Sequence, residues 1–202
     1  MKKIRERIVF TGQWLGIKEK IFEKENGELV QWECLYRPFV QQVAVIIARL
    51  RPSGRFLVLQ QWRQSMEAWV LGFPAGIITA DLSGSQVPTA VLEELREETG
   101  YIGNVISVSP PCPVNAGFSE DVFRIYRVDI DENDPQNRTP QLQLEPAEII
   151  RVYALLAREI PSFIEQKIKN ENCFVGAGLW YVFGLQSELW MCHEEFNRNT
   201  NA

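Results

Sequence analysis

The chain has 202 residues, 46% of them hydrophobic and 23% charged, with a formal net charge of −5. That balance suits one globular domain, or one domain with a small appendage, and supplies apolar residues for a sizeable core. It excludes the basic footprint that nucleic-acid binders carry, and no apolar run approaches the length of a membrane span. Cys34, Cys112, Cys173 and Cys192 are widely spaced with no Cys-x-x-Cys pair, which argues against a zinc site and for reduced thiols. The N-terminus shows no signal-peptide apolar region, so the expected localisation is cytoplasmic.

Along the chain, Trp14 to Arg37 reads as two strands around the turn Glu25-Asn26-Gly27, because Asn-Gly is a strong hairpin signal. Val43 to Leu50 and Phe56 to Gln60 are apolar runs joined by Arg51-Pro52-Ser53-Gly54, which predicts a second hairpin. Trp69 to Phe73 reads as a short strand before the turn Pro74-Ala75-Gly76. Pro88 suits a first helical turn, and Pro88 to Thr99 is expected to be a helix with Leu92 and Leu95 inward. Val105 to Ser109, Val122 to Ile130 and Ile149 to Tyr153 read as strands, with Asp131 to Gln141 a polar loop. Leu155 to Lys169 and Cys173 to Leu189 read as helices broken near Asn170-Glu171-Asn172. A mixed sheet flanked by helices follows, an α/β or α+β fold.

The most informative run is Glu93-Glu94-Leu95-Arg96-Glu97-Glu98-Thr99-Gly100-Tyr101, shortly after Gly72-Phe73-Pro74-Ala75-Gly76. On a helix, Glu94, Glu97 and Glu98 fall at i, i+3 and i+4 and share one face. Three like charges so placed repel one another, and a hard divalent cation with oxygen ligands would relieve the repulsion. Gly100 suits the left-handed position that ends a helix. A solvated charged face is the plainer meaning of such a helix. A second glutamate pair, Glu145 and Glu148, precedes the strand at Ile149. His193, the only histidine, lies near a polar tail, which argues against a Ser-His-Asp triad or a histidine metal site. Gly176-Ala177-Gly178 lacks the context of a dinucleotide fingerprint and reads as close helix packing.

With these residues the chain resembles the Nudix hydrolases, and within them the ADP-ribose pyrophosphatase-like branch. Glu94 to Tyr101 matches the second half of that family's box at every specified position, and the resemblance extends from near Trp14 to a C-terminal helix around Phe174 to Leu185. The resemblance implies a Nudix fold, with residues 1–40 as an N-terminal hairpin region for dimerisation and base stacking and residues 41–195 as the hydrolase domain. It implies that Glu94, Glu97 and Glu98, with Ala75, hold Mg²⁺ (or Mn²⁺) against a substrate diphosphate, and that Glu148 acts as base or metal ligand. Trp14 and Trp32 would stack on adenine, although core or hairpin packing is their ordinary alternative. Arg37 and Arg63 would lie near the diphosphate, with Ala75, Gly76, Gly117 and Ser119 completing the substrate contacts. The implied partners are a small nucleoside diphosphate sugar and a second copy of the chain, with no nucleic acid and no membrane.

The chain also departs from the box. Glu93 stands where the family carries arginine, Gly72 where a glutamate is common, and Ser85 falls nearest the position of the missing first box glutamate. Asn115-Ala116 replaces the usual pair before Gly117. The expected activity is Mg²⁺-dependent hydrolysis of a nucleoside diphosphate sugar, ADP-ribose giving AMP and ribose 5-phosphate. Its rival is a catalytically weak module of the same fold that binds an adenine nucleotide.

Overall fold

The computed structural model describes residues 1–79, 82, 84 and 86–184. Ser85, Cys192, His193 and the end of the helix expected through Leu189 lie outside the described residues. Chain contacts divide into two compact units, one formed by Met1–Val45, Gly76–Val91 and Val108–Ile125, the other by Ile46–Ala75, Leu92–Ser107 and the chain from Tyr126.

In the first unit, β1 (Lys2–Thr11), β2 (Gly16–Glu23) and β3 (Leu29–Tyr36) form an antiparallel sheet in that order. The β2–β3 hairpin closes where expected, with Gly27 at φ 80 and Glu23 paired to Leu29. β1 is an addition to the sequence reading. Its mixture of Lys, Arg and Glu with Ile and Phe gives no clean alternation, and every one of its residues is exposed. Strand β2 carries the buried Glu19, which receives Arg7 Nε at 2.6 Å, Arg7 Nη2 at 2.8 Å and Gln31 Nε2 at 2.5 Å. A carboxylate so held is a cross-strand tie rather than a free charge.

The larger sheet is the one that the apolar runs predict. Its strands are β4 (Val40–Arg51), β5 (Phe56–Arg63), β6 (Ala68–Gly72), β8 (Asn104–Val108), β10 (Val122–Asp131), β11 (Ile150–Leu155) and β12 (Phe174–Val175). The order is β12-β6-β5-β4-β10-β8, with β11 antiparallel to β5. The β6–β12 pair is parallel and β5–β6 antiparallel, so the sheet is mixed. Leu57, Val58, Leu59, Gln60 and Gln61 of β5 are all buried, the pattern of a central strand covered on both faces. Two short strands, β7 (Ala75–Thr79) and β9 (Cys112–Pro113), pair with β4 and β10.

The helices are α1 (Gln86–Thr99), α2 (Ile160–Glu171) and α3 (Ala177–Phe183). The expected helix from Leu155 is corrected: Leu155 ends β11, and helix α2 begins at Ile160 after a 3-10 turn over Ala157–Glu159. Pro161 explains the difference, since proline is tolerated in a first turn but breaks a helix interior. The helix expected from Cys173 is also corrected, because Phe174 and Val175 pair with Val70 and Leu71 before α3 starts. Gly176 is extended, and its N–H donates to the Leu71 carbonyl at 2.7 Å. A Cβ there would approach that oxygen to 3.1 Å, so this glycine serves strand contact rather than helix packing.

Candidate active site

Helix α1 turns Val91, Leu95 and Glu98 to the interior, at i, i+4 and i+7. Of the expected inward leucines, Leu95 is fully buried and Leu92 only half-buried. The helix ends at Gly100, whose N–H donates to the Arg96 carbonyl at 2.7 Å with φ 76. A Cβ on Gly100 would collide with the Gln141 main-chain nitrogen, so the loop after β10 closes tightly over the helix end. Asn137 fixes that loop from within: its amide oxygen accepts from Ile102 N at 2.8 Å and its Nδ2 donates to the Ile102 and Asp131 carbonyls. Gln143 N then donates to the Glu97 carbonyl at 2.8 Å, which leads the chain on to Glu145 and Glu148.

The three helix glutamates occupy different environments. Glu98 is 3% exposed and accepts a hydrogen bond from the Ala75 N–H at 2.9 Å. Burial, with the Glu94 and Glu148 charges added to it, pushes its carboxyl up to about 8 against the pull of that hydrogen bond. Glu94 is half-buried; burial and then the charges of Glu97, Glu148, Glu145 and Glu93 push it up to about 7. Glu97 is exposed. Arg63 is the cation whose charge opposes the rise at Glu98. The second unit therefore brings together Glu94, Glu97, Glu98, Glu148, Arg63 and Ala75 of the expected site, and adds Glu145 as a further charge on Glu94. The signal for Glu145 was its place three residues before Glu148, the spacing of a turn, closed here by Glu148 N to Glu145 O at 2.9 Å.

Among the described residues, no three His, Cys, Asp or Glu side chains gather closely enough to cage an ion unaided. That arrangement still fits Mg²⁺, which keeps several waters and binds through one or two carboxylates plus substrate phosphates rather than an all-protein cage. Carboxylates raised towards neutrality by burial, and further by neighbouring charge, are also the donor set that a hard cation stabilises most.

The first unit holds the other expected residues. Trp32 is half exposed, and its Nε1 donates to the Gly117 carbonyl at 3.0 Å. Trp14 stands on the β1–β2 connection, 76% exposed. Neither tryptophan lies in the core, and Trp32 packs on the β2–β3 hairpin opposite Lys20. The Val114–Asp121 segment is zipped onto β3: Leu35 N donates to Phe118 O at 2.7 Å, and Glu120 N to Leu35 O at 3.0 Å, with Ser119 bridged to Leu35. Arg37 Nε donates to Asp121 at 3.0 Å, and Gly76 is buried on β7. Lys18 and Lys20, on one face of β2, both grip the Glu120 carboxylate, Lys18 at 2.9 Å. Sequence reasoning passed over this clasp, although the i, i+2 spacing of the two lysines marks it. A cavity of about 400 Å³ lies here, lined by Phe22, Val30, Trp32, Cys34, Phe118 and Glu120 among others. Its size and its aromatic wall suit a flat organic ring.

A Nudix domain model matches residues 40–167. An ADP-ribose pyrophosphatase of Saccharomyces cerevisiae is 30% identical over 168 residues, covering 79% of this chain and 70% of the yeast protein. An ADP-sugar pyrophosphatase of Mus musculus is 25% identical over 187 residues, covering 89% of this chain and 84% of the mouse protein. The solved structure of an ADP compounds hydrolase superposes with TM-score 0.59 over 85% of this chain and 88% of that one, at 14% identity, a likeness of fold. The matched span contains the Ala75 turn, helix α1 and the Glu148 loop, and this chain belongs to the Nudix family.

Proposed function

We propose that this protein hydrolyses the diphosphate of a nucleoside diphosphate sugar, with ADP-ribose as the leading substrate and AMP and ribose 5-phosphate as products. The observation that carries the reading is the crowding of Glu94 and Glu98, both raised towards or above neutrality by burial and by neighbouring carboxylate charge. Such a site is built for positive charge. The names of the yeast and mouse relatives support the substrate class. The family's hydrolases use divalent metal ions; Glu94, Glu97, Glu98 and the main chain at Ala75 would hold Mg²⁺ or Mn²⁺ here. Such an ion supplies neutralisation of diphosphate charge and acidification of the attacking water.

The chain's own groups carry the remainder. Arg63 offers a planar guanidinium to the phosphate oxygens, a better match than a point charge. The Glu148 carboxylate accepts a proton from water as its oxygen bonds to phosphorus, and the bond from phosphorus to the departing phosphate oxygen breaks. The Ala75 N–H holds Glu98 in one orientation, so the cluster is ordered before substrate arrives. In the first unit, Trp14 and Trp32 would stack on the adenine, a contact worth roughly 1–3 kcal/mol per base. Arg37, Gly76, Gly117 and Ser119 complete the proposed substrate contacts. Residues 1–40 are proposed as the stacking and dimerisation region, since β1 leaves Ile4, Ile8, Val9 and Phe10 exposed on a three-stranded sheet. No described helix is long and apolar enough to cross a membrane.

The weak-module alternative draws on Glu93, which adds its charge to Glu94 where the family carries arginine, and on the missing first box glutamate. A panel of nucleoside diphosphate sugars assayed with Mg²⁺ and with Mn²⁺ decides between the two. Release of AMP from ADP-ribose supports hydrolysis. Tight ADP-ribose binding with no product under either ion would replace it with the binding module.

A further inference from the structure

Gln64 follows Arg63 in the β5–β6 turn and belongs to neither set of expected site residues. Its side-chain Nε2 donates to the Ala147 carbonyl at 2.6 Å, joining points 83 residues apart in the chain. The turn that presents it is closed by Met66 N to Arg63 O at 3.0 Å and by Glu67 N to Gln64 O at 3.2 Å, with Glu67 left-handed at φ 48. Ala147 immediately precedes Glu148. On the other side of Glu148, the Ile149 carbonyl accepts from Trp62 N at 3.0 Å, and Ile150 pairs with Gln61. Between these anchors, the hydrogen bonds of Glu148 stay within its own loop: its N–H donates to Glu145 O at 2.9 Å, and its Oε2 accepts from Glu145 N at 3.0 Å. Glu148 is thus carried on a short arc, gripped by main chain at Ile149, by the Gln64 side chain at Ala147 and, further back, by the Gln143 contact with the Glu97 carbonyl.

We propose that Gln64 is a positioning residue that holds the Glu145–Glu148 loop so that the Glu148 carboxylate stays beside Glu94 and Glu98. The inference rests on the reading of Glu148 as the base in diphosphate hydrolysis. The electrostatics agree with the placement, since the charge of Glu148 is felt by both helix carboxylates. A loop free to swing at Ala147 would spend much of its time with Glu148 turned away, and small displacements of a catalytic group cost rate rather than binding. Gln64 is exposed and touches no expected substrate group, so its removal leaves the remaining site intact.

Two variants test this: Gln64→Met, which keeps size and neutrality but lacks a donor, and Gln64→Ala. Amide hydrogen exchange of Glu145 and Glu148 is followed in the metal-free protein, and kcat and KM for ADP-ribose are measured with Mg²⁺. Exchange of both amides is expected to quicken about tenfold, the scale set by one lost hydrogen bond. The kcat is expected to fall about tenfold with KM changed less than about twofold and the thermal midpoint lowered by only a few degrees, at roughly 2–4 °C per kcal/mol. Unchanged exchange in both variants overturns the tether, and unchanged kcat, or a loss confined to KM, overturns its role in positioning. If the unaltered protein hydrolyses nothing, the functional reading fails by itself, and the exchange measurement still decides whether Gln64 holds the loop.

Discussion

Replacing Glu98 by glutamine is expected to make the metal-free protein more stable at pH 8 while removing its response to Mg²⁺. The unfolded carboxyl releases its proton near the ordinary value of 4.5, whereas burial and neighbouring charge hold the native proton to about 8. Between those values the native state binds more protons than the unfolded chain, so stability falls as pH rises through that window. Every pH unit across the window is worth about 1.36 kcal/mol, which gives roughly 4–5 kcal/mol in full; the rounded ends of the titration leave about 3 kcal/mol between pH 5 and pH 8 for Glu98 alone, and Glu94, also raised, adds a fall of the same sign. Glutamine stays neutral throughout, and its amide oxygen retains the hydrogen bond from the Ala75 N–H. Glu98→Gln is therefore expected to melt about 6–12 °C above the unaltered protein at pH 8, at roughly 2–4 °C per kcal/mol for a chain of this size, and within a few degrees of it at pH 5. Saturating Mg²⁺ should raise the unaltered protein at pH 8 by about 2.7 kcal/mol at a hundredfold excess over Kd, and the variant by far less. Thermal denaturation in chelator and in Mg²⁺ at the two pH values reads all these quantities. A wild-type midpoint that does not fall from pH 5 to pH 8, or a variant no more stable at pH 8, refutes the account of Glu98 as a buried, crowded acid.

Glu97→Gln is expected to leave metal-free stability within about 0.5 kcal/mol, as befits an exposed position, yet to weaken the Mg²⁺-linked rise in midpoint; an undiminished rise would remove Glu97 from the ligand set. Gly100→Ala is expected to cost at least about 2 kcal/mol by chemical denaturation, since it forces a left-handed residue into collision with Gln141; a neutral result would mean the Gln141 loop yields freely. Sedimentation at high micromolar concentration is expected to show a dimer, and a monomer there would remove the proposed role of residues 1–40 in association. Glu93→Arg is expected to draw Glu94 back towards an ordinary carboxylate pKa and to move activity to lower Mg²⁺, whereas identical Mg²⁺ dependence would show that Glu93 does not tune the site.

Where side chains alternate or cluster cleanly, the fold is legible in the sequence. The Asn26-Gly27 hairpin, the β4–β5 hairpin and the box helix all stand where their residues place them, because turn chemistry and apolar runs act locally. The elements that differ have partners or punctuation that local pattern does not weigh. β12 is two residues long and owes its extended form to Val70 and Leu71, far back in the chain, so no local pattern announces it. β1 is hidden for another reason: its charges, interleaved among the apolar residues, serve cross-strand ties such as Arg7 to Glu19 and leave no clean alternation to read. Leu155 and Leu156 have the propensity of helix residues, yet β5 claims Leu155 for the sheet, and Pro161 in the first turn sets the true start of α2.

The candidate site shows the same division between pattern and environment. Spacing puts Glu94, Glu97 and Glu98 on one helix face, but it does not rank them. The ranking comes from burial, which sets Glu98 against the Ala75 amide, leaves Glu97 in water and holds Glu94 between the two. Nor does spacing join this helix to Glu145 and Glu148, which lie far along the chain. That junction depends on Gly100 permitting the Gln141 contact, on Asn137 filling the turn behind it, and on Gln143 reaching the Glu97 carbonyl. None of those three residues carries the chemistry. Each acts by fixing where the chain must pass, so that two acidic segments with no attraction for one another are held side by side. Like charges assembled against their own repulsion keep a standing affinity for a cation, and it is the folding energy of the surrounding loop and core that maintains it.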